Sequence, residues 1–180
     1  RCTDRCHRCG RYHRAWDARL MSMVYLSIGS NIDREASVRK CLAMLTDVFG
    51  ALQCSKVYES ASVGFEGPAF WNLVVAFNCE MTLEMLRSRL SEIEDTCGRE
   101  RNAHDMSRTM DIDLLLYGDV VAESVPREEI ERYAFVLRPL AELAPEVRHP
   151  VTGVSMGAMW AGFDVSHELL TLVHIELGRD

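Results

Sequence analysis

The chain has 180 residues, of which 48% are hydrophobic and 26% charged, and its formal net charge is −7. That length suits one well-packed domain and excludes two ordinary ones, and no apolar run reaches the roughly 18 residues that a membrane-spanning helix needs. Residues 1–20 contain six Arg and two Asp, so the other 160 residues together carry −11. Such an acidic body repels phosphate backbones, and we expect neither a nucleic-acid nor a membrane partner.

The opening segment, residues 1–20, differs in composition from the rest because it is rich in Arg, Cys and His. Its cysteines have a C-x3-C-x2-C spacing, which suits an iron–sulfur cluster or, with a histidine, a zinc ion. The cluster-binding radical enzymes need a barrel several times larger than this chain can build. We therefore expect residues 1–22 to be a disordered leader or an upstream extension, and residues 23–180 to form a single domain.

The seven cysteines are odd in number, and four of them lie in apolar or periodic segments. Thiols packed as small hydrophobic groups are typical of a reducing compartment rather than of a disulfide-stapled secreted domain. We therefore expect a cytoplasmic protein, and we expect it to be a monomer.

Hydrophobic periodicity predicts the secondary structure of the folded part. The predicted elements, in chain order, are a strand at 24–31, a helix at 33–49, strands at 52–60 and 70–80, a helix at 82–97, a strand at 109–117 and a short helix in "AFVLRPLAELAP". Asp33 and Thr82 are the expected N-caps of the two long helices, which Gly50 and Gly98 end. The order βαββαβ predicts an α+β fold with a ferredoxin-like core and C-terminal helical or strand additions.

The segment "SRTMDIDLLLYGD" places two acids in an otherwise apolar strand. Because alternate side chains share a face, Asp111 and Asp113 should lie beside Leu115, roughly 7 Å apart, with the opposite face apolar. The residues expected on that opposite face are Met110, Ile112, Leu114 and Leu116. Two carboxylates so close need a cation between them, and Mg²⁺ prefers such oxygen ligands together with substrate phosphates. A pair of acids that faces water or an arginine is the alternative.

Three arginines precede this strand in the polar loop "GRERNAHDMSRT". Arg99, Arg101 and Arg108, next to two acids that could hold a metal, form the combination that phosphoryl transfer requires. The chain has no P-loop and no kinase-type glycine loop, so a nucleotide would be held by this loop and the metal ions.

Several segments in their order closely resemble the 6-hydroxymethyl-7,8-dihydropterin pyrophosphokinases of folate biosynthesis. These segments are YLSIGSN, FWNLVVAF, IEDTCGRER, SRTMDIDLLLYGD and FVLRPLAELAPEVRHPVTG. The resemblance extends from about residue 24 to residue 153. It implies transfer of an intact diphosphate from ATP to the hydroxymethyl oxygen of the pterin, which leaves AMP.

The resemblance also assigns roles to individual residues. It implies two Mg²⁺ ions held by Asp111 and Asp113, and it places Asp113 with Arg99 and Arg108 in the catalytic group. The residues implied on the nucleotide side are Glu94, Arg101, Arg127 and Arg132. Those implied around the pterin are Ser60, Val63, Phe70, Asn72 and Phe135, the two phenylalanines holding the ring between them, as a flat bicycle with polar edges requires.

Several positions depart from the family pattern, among them two where the family has His and Arg and this chain has Arg127 and Tyr133. The neighbouring Arg132 lies one residue away from the missing guanidinium. These changes affect the expected nucleotide site and leave the acids and loop arginines intact. They raise a second hypothesis, a catalytically weak paralogue that serves as a pterin- or nucleotide-binding module.

Overall fold

The computed structural model describes residues 21–97, 110–166, 168–175 and 177. Its elements, in chain order, are β1 (Ser22–Ser30), α1 (Arg34–Phe49), β2 (Gln53–Cys54), β3 (Val57–Ser60), β4 (Phe70–Cys79), α2 (Leu83–Thr96), β5 (Asp111–Tyr117), α3 (Glu129–Arg132), α4 (Ala134–Leu143), α5 (Met156–Ala161) and β6 (Thr171–Val173). Residues 1–20 of the expected leader at 1–22, the helix end at Gly98 and the polar loop at 99–107 lie outside the described residues, whereas Ser22 belongs to β1.

The strands form one antiparallel sheet in the spatial order β5-β1-β4-β3-β6, and β2 also pairs with β4. If β2 and β3 are counted as the two halves of one strand, the connectivity is βαββαβ. The central order is then that of a ferredoxin-like fold. The predicted α+β class is confirmed, and three short helices and β6 are the C-terminal additions.

Both faces of the sheet are covered by helices, which explains the continuous apolar run of β4. On one face α1 and α2 bury a cluster that includes Leu26, Leu45 and Leu86. On the other face α4 and α5 bury a second cluster that includes Leu137 and Met156. Helices α4 and α5 leave part of this sheet face uncovered. The uncovered part carries the polar residues of the cavity described below.

The predicted strand at 52–60 is two strands, because the chain departs from regular pairing at Ser55 and Lys56. At the break, Ser55 is buried, and both its backbone N–H and its side-chain oxygen bond the backbone of Val74, at 2.9 Å each. The Ser55 hydroxyl thus accepts the hydrogen bond that the Val74 N–H would give to a backbone carbonyl in a regular strand pair. The hydrophobic pattern of the sequence does not predict this exchange.

The two predicted N-caps have different outcomes. Thr82 caps α2, since its hydroxyl oxygen accepts a hydrogen bond from the N–H of Met85 at 3.3 Å. Asp33 occupies the N-cap position of α1 but makes no capping bond, and its φ of 43° places it in the left-handed region. Instead, the hydroxyl of Ser37 donates to the carbonyl oxygen of Ile32 at 2.9 Å. The capping role predicted for Asp33 is therefore wrong.

The prediction that side chains alternate strictly between the two faces of β5 is also wrong at one residue. Tyr25 of β1 pairs with Leu116, and Leu26 pairs with Leu114, so Leu115 is an additional residue between two regular pairs. Such a bulge reverses the alternation beyond it. Leu116 therefore packs with Leu115 in the cluster under α4, not on the opposite face as expected.

Within the described ranges, no helix is both long enough and apolar enough to cross a bilayer.

Candidate active site

Three neighbouring strands bring the acids and a buried amide to one surface. Gly29 of β1 pairs with Asp111 of β5 on one side and with Asn72 of β4 on the other. Since adjacent strands are about 4.8 Å apart, the Asp111 and Asn72 backbones lie roughly 10 Å from each other. A Cβ on Gly29 would contact the Asn72 side-chain oxygen at 3.6 Å, so glycine keeps the floor between them open.

A cavity of about 320 Å³ lies above this floor. It contains all five residues expected around the pterin: Ser60, Val63, Phe70, Asn72 and Phe135. It also contains three of the residues expected around the phosphates: Asp111, Asp113 and Arg127. The fold thus collects, in one place, side chains that are up to 75 residues apart in the chain.

Asp113 is the most perturbed acid of the cavity. Its Oδ1 atom accepts a hydrogen bond from Arg127 Nη2 at 2.6 Å, and Arg127 Nε lies 3.2 Å from Glu129 Oε2. The pKa of Asp113 is nevertheless raised to about 6, first by burial and then by the neighbouring charge of Asp111. Arg127 lowers this pKa, but one guanidinium shared with Glu129 does not offset burial and the other acids.

The raised pKa predicts how stability depends on pH in metal-free protein. An ordinary Asp titrates near 3.8, and Asp113 in the folded chain titrates at about 6. Between these values the folded state binds more protons than the unfolded state, so the free energy of unfolding falls as pH rises through this window. Urea unfolding in the presence of a chelator should show this slope, and Asp113→Asn should remove its contribution. An identical slope in the two proteins would contradict the assignment.

The aromatic side chains of the cavity form two groups. Tyr133 and Phe135 stack on one side, with ring centroids 5.0 Å apart and an interplanar angle of 16°. Phe65, on the loop before β4, and Phe70, the first residue of β4, meet edge to face at 6.2 Å. Rings in both groups line the cavity, so it offers π-faces from two separate segments of the chain.

Next to the aromatic rings, Asn72 and Ser60 form a polar part of the same cavity. Asn72 is only 4% exposed, and its Nδ2 atom donates to Ser60 Oγ at 3.0 Å. The neighbouring loop is tied to the fold by Arg34, whose Nη1 bonds Glu59 Oε2 at 2.7 Å and the Ala69 carbonyl oxygen at 3.2 Å. A buried amide held in this way presents fixed hydrogen-bonding groups to a ligand.

Two expected nucleotide residues do not line the cavity. Glu94 is 6% exposed, and its Oε1 accepts the backbone N–H of Ile112 at 2.9 Å, so it supports β5 from the α2 side. Arg132 has a side chain 65% exposed, paired with Glu128 at 2.8 Å. The nucleotide roles of both stay predictions. Three further expected residues, Arg99, Arg101 and Arg108, lie outside the described residues.

The cavity also contains residues that sequence reasoning missed, namely Ser27, Gly29, Phe65 and Glu129. The first two could have been found, because they follow Tyr25 at two-residue steps and thus share its face of β1. Phe65 lies in a loop and Glu129 lies at the start of a short helix. At neither place does a hydrophobic periodicity predict where the side chain points.

The fold and the site together define a ferredoxin-like α+β protein with a small-molecule cavity in which acids and aromatic rings meet. A family model described as "7,8-dihydro-6-hydroxymethylpterin-pyrophosphokinase (HPPK)" matches residues 25–145. The chain belongs to this family.

Relatives with similar sequences carry the same activity in their names. A 2-amino-4-hydroxy-6-hydroxymethyldihydropteridine pyrophosphokinase of Aquifex aeolicus is 34% identical over 137 residues, which cover 73% of this chain and 86% of the relative. The protein of that name from Bacillus subtilis is 32% identical over 139 residues, covering 73% of this chain and 83% of the relative.

Solved structures support the fold. The HPPK-DHPS protein of Plasmodium falciparum superposes with a TM-score of 0.63 at 14% identity, over 78% of this chain. This chain covers 43% of that protein, so it spans less than half of its length. At 14% identity, this similarity supports the fold alone.

Proposed function

We propose that this chain transfers the diphosphate of ATP to the hydroxymethyl oxygen of 6-hydroxymethyl-7,8-dihydropterin and releases AMP, as a step of folate biosynthesis. One observation carries the proposal: a single cavity joins an acid pair, Asp111 and Asp113, to a slot formed by aromatic rings and a buried amide. Membership of the pyrophosphokinase family supports it. The acid pair suits a triphosphate, and the aromatic slot suits a flat heterocycle. These are the two substrates of the proposed reaction.

Mg²⁺ fits the acid pair, and we propose that Asp111 and Asp113 hold two such ions. Burial and the neighbouring acids raise the pKa of Asp113 even though Arg127 pairs with it, so a further cation would stabilise this carboxylate. The described residues contain no group of three or more His, Cys, Asp or Glu suited to a metal, so further oxygens would come from the ATP phosphates. When bound, Mg²⁺ neutralises phosphate oxygens and orients the triphosphate.

Arginines would supply the remaining positive charge. Arg127 already lies in the cavity, and its side chain is 32% exposed. Arg108 precedes Asp111 by three residues, a distance that the chain spans in at most about 10 Å. Arg99 and Arg101 follow the end of α2 in sequence. We propose that Arg99 and Arg108 stabilise the charge of the transferring group, while Arg101, Arg127, Arg132 and Glu94 serve the nucleotide.

We propose that the pterin lies between the rings of Phe70 and Phe135, with Asn72 and the segment of Ser60 and Val63 at its polar edge. The amide of Asn72 is bonded on one side to Ser60. Its oxygen points toward the floor above Gly29, where a hypothetical Cβ would meet it. It can therefore accept a hydrogen bond from an amino or ring N–H group of the ligand.

The second hypothesis, a weak paralogue that only binds ligands, also has an observation in its favour. Arg127 pairs with Asp113, the acid expected to hold metal, at 2.6 Å. Tyr133, which stands where the family has Arg, stacks on Phe135 and so contributes to the pterin side rather than to the nucleotide side. Turnover would require Arg127 to exchange its carboxylate partner for phosphate.

Product analysis separates the two hypotheses. The protein is incubated with ATP, Mg²⁺ and the hydroxymethyl-dihydropterin, and nucleotides are resolved by ion-exchange chromatography. An enzyme yields AMP and pterin diphosphate in equal amounts, and neither forms without Mg²⁺ or in heat-inactivated protein. A binding module quenches pterin fluorescence yet yields no AMP above that background. ADP in place of AMP would instead indicate transfer of a single phosphate.

We further propose that the protein acts as a cytoplasmic monomer, without a nucleic-acid or membrane partner. The four cysteines of the described residues are free thiols, as expected in a reducing compartment. We also propose that residues 23–180 form one domain. Light scattering after gel filtration tests the oligomeric state, and limited proteolysis tests the domain boundary.

A further inference from the structure

The loop between β3 and β4, residues 61–69, contributes one side of the cavity. Ala61, Val63 and Phe65 of this loop line the cavity. The ring of Phe65 also meets the ring of Phe70 edge to face, so the loop contacts one of the two rings proposed to hold the pterin. The position of the loop therefore affects the shape of the aromatic slot.

The loop contains no helix or strand, and its shape depends on a few side-chain contacts. The hydroxyl of Ser62 donates to the Pro68 carbonyl oxygen at 2.8 Å. A Cβ on Gly67 would lie 2.5 Å from the ring of Phe65, so only a glycine leaves room for that ring. The loop thus folds back on itself and carries Phe65 toward the cavity.

Arg34, the first residue of α1, bonds both ends of this loop although it does not line the cavity. Its Nη1 atom donates to Glu59 Oε2 at 2.7 Å, two residues before the loop begins. The same atom donates to the carbonyl oxygen of Ala69, the last residue of the loop, at 3.2 Å. The guanidinium carbon also lies 5.1 Å from the centre of the Trp71 ring. One side chain therefore closes the loop from outside the cavity.

The stability of α1 does not explain an arginine at this position. A positive charge in the first turn of a helix opposes the helix dipole. The side chains of Arg34 and Glu59 are 33% and 38% exposed, and an ion pair as open to solvent as this one contributes little to folding by itself. We therefore expect the main effect of Arg34 to be on the loop and not on the stability of the domain.

We propose that Arg34 is a positioning residue for the pterin. It holds residues 61–69 in the conformation in which Phe65 packs against Phe70, and it does so without touching the ligand. A loop that is ordered before binding reduces the conformational entropy lost when the ligand binds. The identity of the ligand rests on the proposed function, whereas the anchoring of the loop does not.

The test compares Arg34→Met with Arg39→Met in the full chain. Arg39 lies on the same helix and pairs with Glu35 at an exposed position, so both variants remove one positive charge from α1. We expect Arg34→Met to raise the Kd and the KM for the pterin about tenfold, the effect of one charge-assisted hydrogen bond. The kcat at saturating pterin and the KM for ATP should stay close to those of Arg39→Met.

Two further variants test the contact itself. Arg34→Lys keeps the charge but not the planar group that reaches two acceptors, so it should recover part of the pterin affinity. Glu59→Gln removes the charge from the partner and should also weaken pterin binding. Combined with Arg34→Met it should add little, because both substitutions break the same contact. Full additivity of the two effects would contradict a shared contact.

Hydrogen exchange measured by mass spectrometry gives a result that does not depend on the ligand. In ligand-free protein, the amides of residues 61–69 should exchange faster in Arg34→Met than in Arg39→Met, with no difference in α4. Equal loop exchange in the two variants, equal pterin affinity, or an equal loss of pterin and ATP binding would overturn the proposal. If the wild-type protein bound no pterin, the proposed function would fail, and loop exchange would still decide whether Arg34 holds the loop.

Discussion

Asp113→Asn is expected to lower the Mg²⁺-dependent rate of AMP formation by a factor on the order of 10²–10³, the loss typical of one strong electrostatic contact to a transition state. Asn keeps the shape of the side chain and removes the charge that faces the proposed metal. Asp113 shares its face of β5 with Asp111, and both line the cavity. A neutral amide at this position would leave one carboxylate to hold the proposed cations, which would supply neutralisation of the phosphate charge.

The fold of this variant should persist, because the substitution removes an acid that is costly in the folded chain. Burial and Asp111 already raise the pKa of Asp113 to about 6. The matched control is Asp119→Asn, which neutralises an exposed acid in the turn after the same strand. Circular dichroism verifies the fold, and the rate is measured at saturating ATP over a series of Mg²⁺ concentrations. Retention of most activity by Asp113→Asn would rule out its metal role.

Asn72→Ala is expected to weaken pterin binding roughly 10- to 100-fold, because a ligand group that loses its buried partner costs about 1–3 kcal/mol. Asn72 is buried on the cavity floor and bonded to Ser60. Its position opposite Gly29 separates it from the acid pair by two strand spacings. The affinity for ATP and Mg²⁺ should therefore stay close to that of the wild type.

The control for this experiment is Asn78→Ala, which removes an exposed amide from the same strand. Binding is followed by pterin fluorescence and ATP binding by calorimetry, with both variants measured side by side. If Asn72→Ala bound pterin as tightly as Asn78→Ala does, the amide would not belong to the pterin site. Equal loss of both ligands would indicate collapse of the cavity rather than a lost hydrogen bond.

The sequence by itself determined the fold class and the common face of the acid pair in the candidate site, because these depend on local regularities. Two-residue alternation set Asp111 and Asp113 on one face, and three- to four-residue periodicity located α1 and α2. A resemblance of motifs added the five residues expected around the pterin, which the fold brings into one cavity. None of these inferences needs knowledge of which strands are neighbours.

Only the tertiary structure decided the features that depend on pairing between distant segments. The bulge that turns Leu116 toward α4 exists because the pairing register of β1 and β5 shifts by one residue there. The ion pair of Arg127 with Asp113 joins two segments whose separation in the chain does not predict that they meet. Side-chain periodicity describes one element at a time, whereas register and partner are set by how the helices and strands pack together.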